Sequence, residues 1–299
     1  MTHDPQTEAT LDYQSHFITM QDGLRLHLRD YGGTHSALLP VVCLAGLTRN
    51  SADFEALAQA LASGRFGQPR RVIAIDYRGR GLSEYDTDWR HYDVRVESAD
   101  IIAALTALSI TEAQFIGTSR GGLNAMLLAI MRPGLIKALV LNDLGPVLEP
   151  KGLARLKSYV GKMPQPQSWA DAENLLKVVS SNHFPALADD DWRAYARQIF
   201  QEVSGKLVPR YDPKLAKTLA LIDLDVPQPD LWPQFEAMSA IPLLALRGAL
   251  SDLLSEQTFV AMQKRHPMCN GLTVPGQGHA PLLRDDLSIT AISHFLESA

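Results

Sequence analysis

The chain has 299 residues, 46% hydrophobic and 20% charged. That composition belongs to a globular protein and excludes general disorder, and a chain this long forms one or two domains with a core that needs no staple. The 28 basic and 33 acidic residues give a net charge of −5 and form no long run of either sign, so no groove for nucleic acid and no membrane-binding face is expected. The expected partner is a small, largely apolar molecule, acted on by a monomer or homodimer. Two cysteines, Cys43 and Cys269, each lie in an apolar stretch, which predicts buried thiols and a reducing compartment. The segment Met1–Gln14 is polar and acidic, without the apolar region of a secretory signal, and no stretch reaches the ~18 apolar residues of a membrane span. A cytoplasmic protein is expected.

After a loose arm of about a dozen residues, Phe17–Met20, a turn at Asp22-Gly23 and Leu24–Asp30 read as a hairpin, because Leu24, Leu26 and Leu28 alternate with polar neighbours. Continuous apolar runs follow at Pro40–Ala45, Val72–Ile75, Ala113–Ile116, Ala138–Leu141 and Ile241–Leu246. Strands apolar on both faces belong to a parallel sheet covered by helices. Helical spacing lies between them: Phe54, Leu57, Ala58 and Leu61; Ile101, Ile102, Leu105 and Leu108; and finally Leu287, Ile292, Phe295 and Leu296. Leu123–Met131 is apolar nearly all round and is expected to be the most buried helix. This alternation predicts a doubly wound α/β sheet. From Gly145 to Ala240 the rhythm breaks. Helical pieces are expected at Lys151–Lys162, Trp169–Ser180, Asp191–Ser204 and Pro213–Asp223, punctuated by prolines and with no strand. The expected organisation is a core of residues 1–144 and 241–299 carrying a helical insertion, 145–240.

The sharpest motif is Gly117-Thr118-Ser119-Arg120-Gly121, which follows one of these strands and opens the buried helix. In that context Gly-x-Ser-x-Gly is a nucleophile elbow. The chain turns from strand to helix within about two residues, side chains at 117 and 121 would collide, and the serine hydroxyl stands at a helix N-terminus that favours developing negative charge.

A serine needs a base and a group to orient that base. Of nine histidines, His279 sits on a glycine- and proline-flanked loop beyond the last strand, where α/β active sites lie. Two acids stand past strand ends: Asp252, in Arg247-Gly248-Ala249-Leu250-Ser251-Asp252, and Asp143, in Leu141-Asn142-Asp143. Asp252 is preferred, giving the chain order Ser119, Asp252, His279; Asp143 is the alternative, with a turn or cap residue as its other reading. The oxyanion donors are expected to be the amides of Arg120 and of Leu47, in Ala45-Gly46-Leu47-Thr48.

The chain resembles the α/β-hydrolase superfamily, in its capped branch of esterases and lactonases, over residues 15–299. Besides the elbow, Asp76-Tyr77-Arg78-Gly79-Arg80-Gly81-Leu82-Ser83 is similar to the family's D-x-R-G-x-G-x-S loop, read here as structural. The resemblance implies an eight-stranded sheet with a helical cap between strands six and seven. It departs from the family in carrying Ala45-Gly46 where His-Gly is usual, and a serine nucleophile argues against epoxide hydrolase and haloalkane dehalogenase chemistry. Substrate contacts are expected from Arg49, Asn50, Trp169, Trp192 and Trp232. The Arg120 side chain would bind a substrate carboxylate or form a structural salt bridge. The chemistry expected is cleavage of a small ester or lactone through an acyl-enzyme, without metal or cofactor. Carbon–carbon bond hydrolysis of a vinylogous keto acid, amide or peptide hydrolysis and acyl transfer are alternatives on the same triad. A cofactor-free oxygenase or a ligand receptor are alternatives from other classes.

Overall fold

A computed structural model describes residues 12–33 and 36–299. Residues 1–11, where the loose arm is expected, and His3 and His35 lie outside the described residues. The chain opens with β1 (Gln14–Thr19) and β2 (Arg25–Tyr31), paired antiparallel. β3 (Val41–Leu44), α1 (Glu55–Ser63), β4 (Val72–Ile75), α2 (Val94–Ala107), β5 (Ala113–Thr118), α3 (Arg120–Met131) and β6 (Ile136–Asn142) follow. The insertion holds α4 (Pro150–Tyr159), α5 (Trp169–Ser180), α6 (Asp189–Ile199), β7 (Phe200–Val203), β8 (Lys206–Pro209), α7 (Leu215–Ala220) and α8 (Trp232–Glu236). The core resumes with β9 (Leu243–Gly248), α9 (Glu256–Arg265), β10 (Cys269–Val274) and α10 (Asp286–Ser298).

The eight core strands form one sheet in the order β1-β2-β4-β3-β5-β6-β9-β10, antiparallel at the β1 and β2 end and parallel from β4 onward. The expected doubly wound sheet is therefore met. One face packs on α2, α3 and α9 through residues such as Leu105, Met126 and Met262; the other packs on α1 and α10 through Leu57, Leu61 and Ile292. β2 is buried beyond the alternating leucines, because it lies between β1 and β4 rather than at an edge. His27, Arg29 and Asp30 are therefore enclosed, and His27 Nδ1 bonds Asp76 Oδ2 at 2.8 Å. α3 is less enclosed than its composition suggests, since its last turn emerges and exposes Ile130 and Met131. Both cysteines are free; Cys43 is buried, while Cys269 is only half-buried.

The insertion departs from its all-helical expectation at one place. Residues 200–209, partly assigned to a helix by the sequence reading, form a two-stranded antiparallel ribbon. Its turn is Ser204-Gly205, both with positive φ (51° and 74°), as a two-residue hairpin turn requires. The helix expected over Trp169–Ser180 is met, and the Ser168 hydroxyl caps it, accepting from the Asp171 amide at 3.1 Å. The 76–83 loop braces insertion to core: the Gly81 amide donates to the Arg210 carbonyl, and the Asp212 amide to the Gly79 carbonyl, both at 2.8 Å. Among the described residues no helix is long and apolar enough to cross a membrane.

Candidate active site

β5 and β6 run in parallel register, Thr118 beside Asn142, so the residues just past their ends, Ser119 and Asp143, leave the sheet side by side. Ser119 sits at φ 50°, ψ −110°, the strained turn of an elbow. The flanking glycines are needed: a Cβ on Gly117 would lie 2.7 Å from the Gly121 backbone, and one on Gly121 would overlap the Leu44 carbonyl. The Ser119 amide donates to the Asn142 carbonyl at 3.0 Å, fixing elbow to strand end. The His279 loop is tied to the same place, because Asn142 Nδ2 donates to Thr118 Oγ1 (3.0 Å) and to the Pro281 carbonyl (2.9 Å).

His279 Nε2 lies 3.0 Å from Ser119 Oγ, and its Nδ1 lies 2.8 Å from Asp143 Oδ2. The Asp143 carboxylate is fully buried and also accepts from the Gly248 amide (2.8 Å) and the Ser251 hydroxyl (2.6 Å). The preference for Asp252 as the partner of His279 is therefore corrected: Asp143, the alternative, holds the imidazole. Asp252 points instead to Arg155 of α4, which grips it with Nε at 2.6 Å and Nη2 at 2.9 Å, and lies 4.0 Å from His183 Nε2. Burial raises the Asp252 carboxyl, but the Arg155 guanidinium more than offsets this and holds it below the ordinary value. The 247–252 loop does serve the site, through Gly248 and Ser251, one residue short of the carboxylate chosen from sequence.

Gly46 approaches Ser119 closely enough that a Cβ there would stand 4.0 Å from Ser119 Cβ, which brings the Leu47 segment beside the serine. Arg80 Nε donates to the Leu47 carbonyl at 2.8 Å. Arg80 also pairs with Glu97, whose other oxygen accepts from Arg120 Nε at 2.8 Å. Arg120 Nη2 donates to the Tyr92 carbonyl at 3.1 Å. Of the two readings of the Arg120 side chain, the structural salt bridge is the one observed. Burial raises the Glu97 carboxyl, but the two guanidiniums overcome it and hold it below the ordinary glutamate value.

Ser119 and His279 line a cavity of ≈ 90 Å³ that continues past Thr48, Arg49, Tyr159 and Tyr195 into a second space of ≈ 210 Å³. Arg49 is in the wall as expected, doubly bonded to Asp53 (2.6 and 2.5 Å) and stacked 4.6 Å from the Tyr195 ring centroid. The other four pocket expectations are not met. Asn50 is buried and fastens core to insertion, donating to the Gln198 carbonyl at 2.8 Å. Trp169 and Trp192 pack inside the insertion, Trp169 beneath Arg197 and Trp192 against Tyr195. Trp232 packs on the core with Phe235 and Arg265. Sequence reasoning missed Tyr159, Arg155 and His183 as lining residues; Tyr195, of α6, lines the same space. Periodicity marked the helices of Arg155, Tyr159 and Tyr195 but not which helix edge meets the core, and His183 lies in the turn after α5.

The model of the Alpha/beta hydrolase family matches residues 41–289. The chain belongs to that family. This α/β hydrolase is 40% identical to an α/β hydrolase from Novosphingobium aromaticivorans whose crystal structure covers 97% of the chain, and the whole of that structure, with a TM-score of 0.89. It is 32% identical to a 3-hydroxybutyrate-oligomer hydrolase from Cupriavidus necator over 87% of this chain and 88% of that protein. It is 28% identical to a 2-(acetamidomethylene)succinate hydrolase from Mesorhizobium japonicum, over 85% and 86% of the two chains.

Proposed function

We propose that this α/β hydrolase is a cofactor-independent serine hydrolase that cleaves a carboxylic ester through an acyl-enzyme. The carrying observation is the continuous chain of contacts from Ser119 Oγ through His279 to Asp143. Ser119 Oγ attacks the ester carbonyl carbon as its proton passes to His279 Nε2. The negative charge that forms on the carbonyl oxygen is met by the Leu47 and Arg120 amides, the latter at a helix N-terminus where backbone N–H groups lack intrahelical partners. The tetrahedral adduct collapses, the bond to the leaving oxygen breaks, and His279 returns the proton to that oxygen. Water then attacks the acyl-enzyme, giving its proton to His279; the carboxylic acid departs and Ser119 is regenerated. Asp143 fixes the tautomer with Nδ1 protonated and stabilises the imidazolium formed twice per turnover.

The insertion acts as a lid in this reading, with α4 and α6 forming the roof of the cavity. Ester cleavage is further supported by the oligomer-hydrolase relative, since oligomers of a hydroxy acid are esters. The carbon–carbon alternative loses its main support, because the Arg120 guanidinium that was to hold a substrate carboxylate is committed to Glu97 and Tyr92. The test is labelling with a fluorophosphonate probe followed by peptide mapping, alongside turnover of p-nitrophenyl butyrate. Modification at Ser119 and loss of both signals in Ser119→Ala are expected. Ser119→Ala hydrolysing the ester at the wild-type rate would overturn the reading.

A further inference from the structure

The two amides assigned to the oxyanion stand on different elements, Leu47 in the loop after β3 and Arg120 at the start of α3. Pairing of β3 with β5 ends at Leu44 and Gly117, before either donor is reached. Among the described residues no backbone hydrogen bond joins 45–48 to 118–121. The spacing of the two donors is therefore not set by the sheet ladder alone.

A buried carboxylate spans the gap. Glu97 stands in the first turn of α2 with its side chain fully enclosed. Its Oε1 lies 2.8 Å from Nη2 of the equally buried Arg80, and Arg80 Nε donates to the Leu47 carbonyl at 2.8 Å. Its Oε2 accepts from Arg120 Nε at 2.8 Å and from Asn124 Nδ2, one turn further along α3, at 3.3 Å. Neither guanidinium is free to swing. Arg80 Nη1 donates to the Arg78 carbonyl at 2.7 Å, and Arg120 Nη2 to the Tyr92 carbonyl at 3.1 Å. A planar guanidinium held at several nitrogens fixes direction as well as distance. Burying three charges together costs desolvation that an apolar trio of similar volume avoids, so stability alone is weak grounds for the cluster.

We propose that Glu97 is a positioning residue for the oxyanion hole, setting the spacing and aim of the Leu47 and Arg120 amides through Arg80 and Arg120. It touches neither Ser119 nor substrate. This rests on the ester-hydrolase reading and goes beyond it by naming what holds the two donors in register. An oxyanion donor acts on charge that develops in the transition state, so displacing it lowers kcat and spares KM.

Glu97→Gln and, separately, Arg120→Met are compared with wild type on p-nitrophenyl butyrate. Gln turns one acceptor into a donor facing a guanidinium. Arg120→Met leaves Arg80 and Glu97 as a one-to-one ion pair, which keeps the test open if Glu97→Gln fails to fold. Sites are counted from the end-point of fluorophosphonate labelling. In each variant kcat per labelled site is expected to fall by about 10–100-fold, short of the loss of a whole donor, with KM within about twofold of wild type. Affinity for an alkyl trifluoromethyl ketone, to whose carbonyl carbon Ser119 Oγ adds to leave an oxyanion, is expected to fall by the same factor as kcat. A role confined to folding lowers the number of labelled sites and the unfolding midpoint but not kcat per site. A folded variant with kcat per site within about twofold of wild type, or with a raised KM at unchanged kcat, overturns the positioning role alone. A wild-type enzyme that neither labels at Ser119 nor turns over the ester overturns the ester-hydrolase reading itself.

Discussion

Replacing Asp143 by Asn separates the two carboxylates that compete for the third place in the triad. The Asp143 side chain is fully buried and accepts from His279 Nδ1, the Gly248 amide and the Ser251 hydroxyl. Asn keeps the shape but turns one acceptor oxygen into a donor. With the Asn NH₂ facing Nδ1, the imidazole takes the tautomer with Nε2 protonated, and its proton faces Ser119 Oγ instead of a lone pair. The expected loss in kcat is about 10⁴-fold, some 5 kcal/mol of transition-state stabilisation, the size seen when a triad aspartate becomes asparagine in a serine protease. Asp252→Asn instead weakens one ion pair between α4 and the 247–252 loop. That pair is bidentate and largely shielded from solvent, so its loss is expected to lower stability by about 1.5–3 kcal/mol, while kcat stays within about tenfold of wild type. Initial rates on p-nitrophenyl butyrate give both numbers, and thermal unfolding midpoints control for the support Asp143 gives to Gly248 and Ser251. An Asp252→Asn enzyme crippled by thousands-fold beside an Asp143→Asn enzyme within tenfold of wild type would refute the assignment.

Two further outcomes follow from packing and charge. Gly121→Ala places a methyl against the Leu44 carbonyl and forces β3 and α3 apart; it is expected to lower the unfolding midpoint and abolish fluorophosphonate labelling together, so normal stability with full labelling would contradict the elbow geometry. Glu97→Gln leaves the buried guanidiniums of Arg80 and Arg120 without their shared counter-ion, and about 3–5 kcal/mol of destabilisation in urea unfolding at neutral pH is expected. Because the Glu97 carboxyl is held below its ordinary value, its contribution is fully present above the ordinary glutamate range and is lost as pH falls from about 5 through the depressed value. The stability gap between wild type and Glu97→Gln is therefore expected to close in acid, and a pH-independent gap would refute the ion-pair account.

The sheet was legible because parallel strands buried on both faces leave uninterrupted apolar runs, and the elbow because a strand-to-helix turn this tight admits only glycine at 117 and 121. The ribbon at 200–209 was not legible, since its short strands carry only two inward residues, Phe200 and Leu207, too few to outweigh the helical pattern that precedes them. The acid was half legible. Sequence placed Asp143 and Asp252 correctly past strand ends, but side-chain direction within a loop turns on one residue of register, and here that register aims Ser251 at the site and Asp252 at Arg155. The pocket was least legible. The large tryptophans were natural candidates for a ligand wall, yet size favours them as packing anchors, and Tyr159 and Tyr195 on helix edges met the cavity instead.

Asp143 lies only 24 positions after Ser119, on the neighbouring strand and ahead of the insertion, whereas Asp252 lies beyond it. The proposed nucleophile and acid are thus set by one strand–helix–strand unit whose internal geometry is complete before the chain enters residues 145–240. The insertion can lengthen, shorten or change its contacts without altering the distance between Ser119 and Asp143, and only His279 has to be brought back from the far side. The loop after β9 sends Ser251 to Asp143 and its own aspartate to Arg155 of the insertion. In the proposed mechanism, variation in the sequence of the insertion is in this way decoupled from the proton relay.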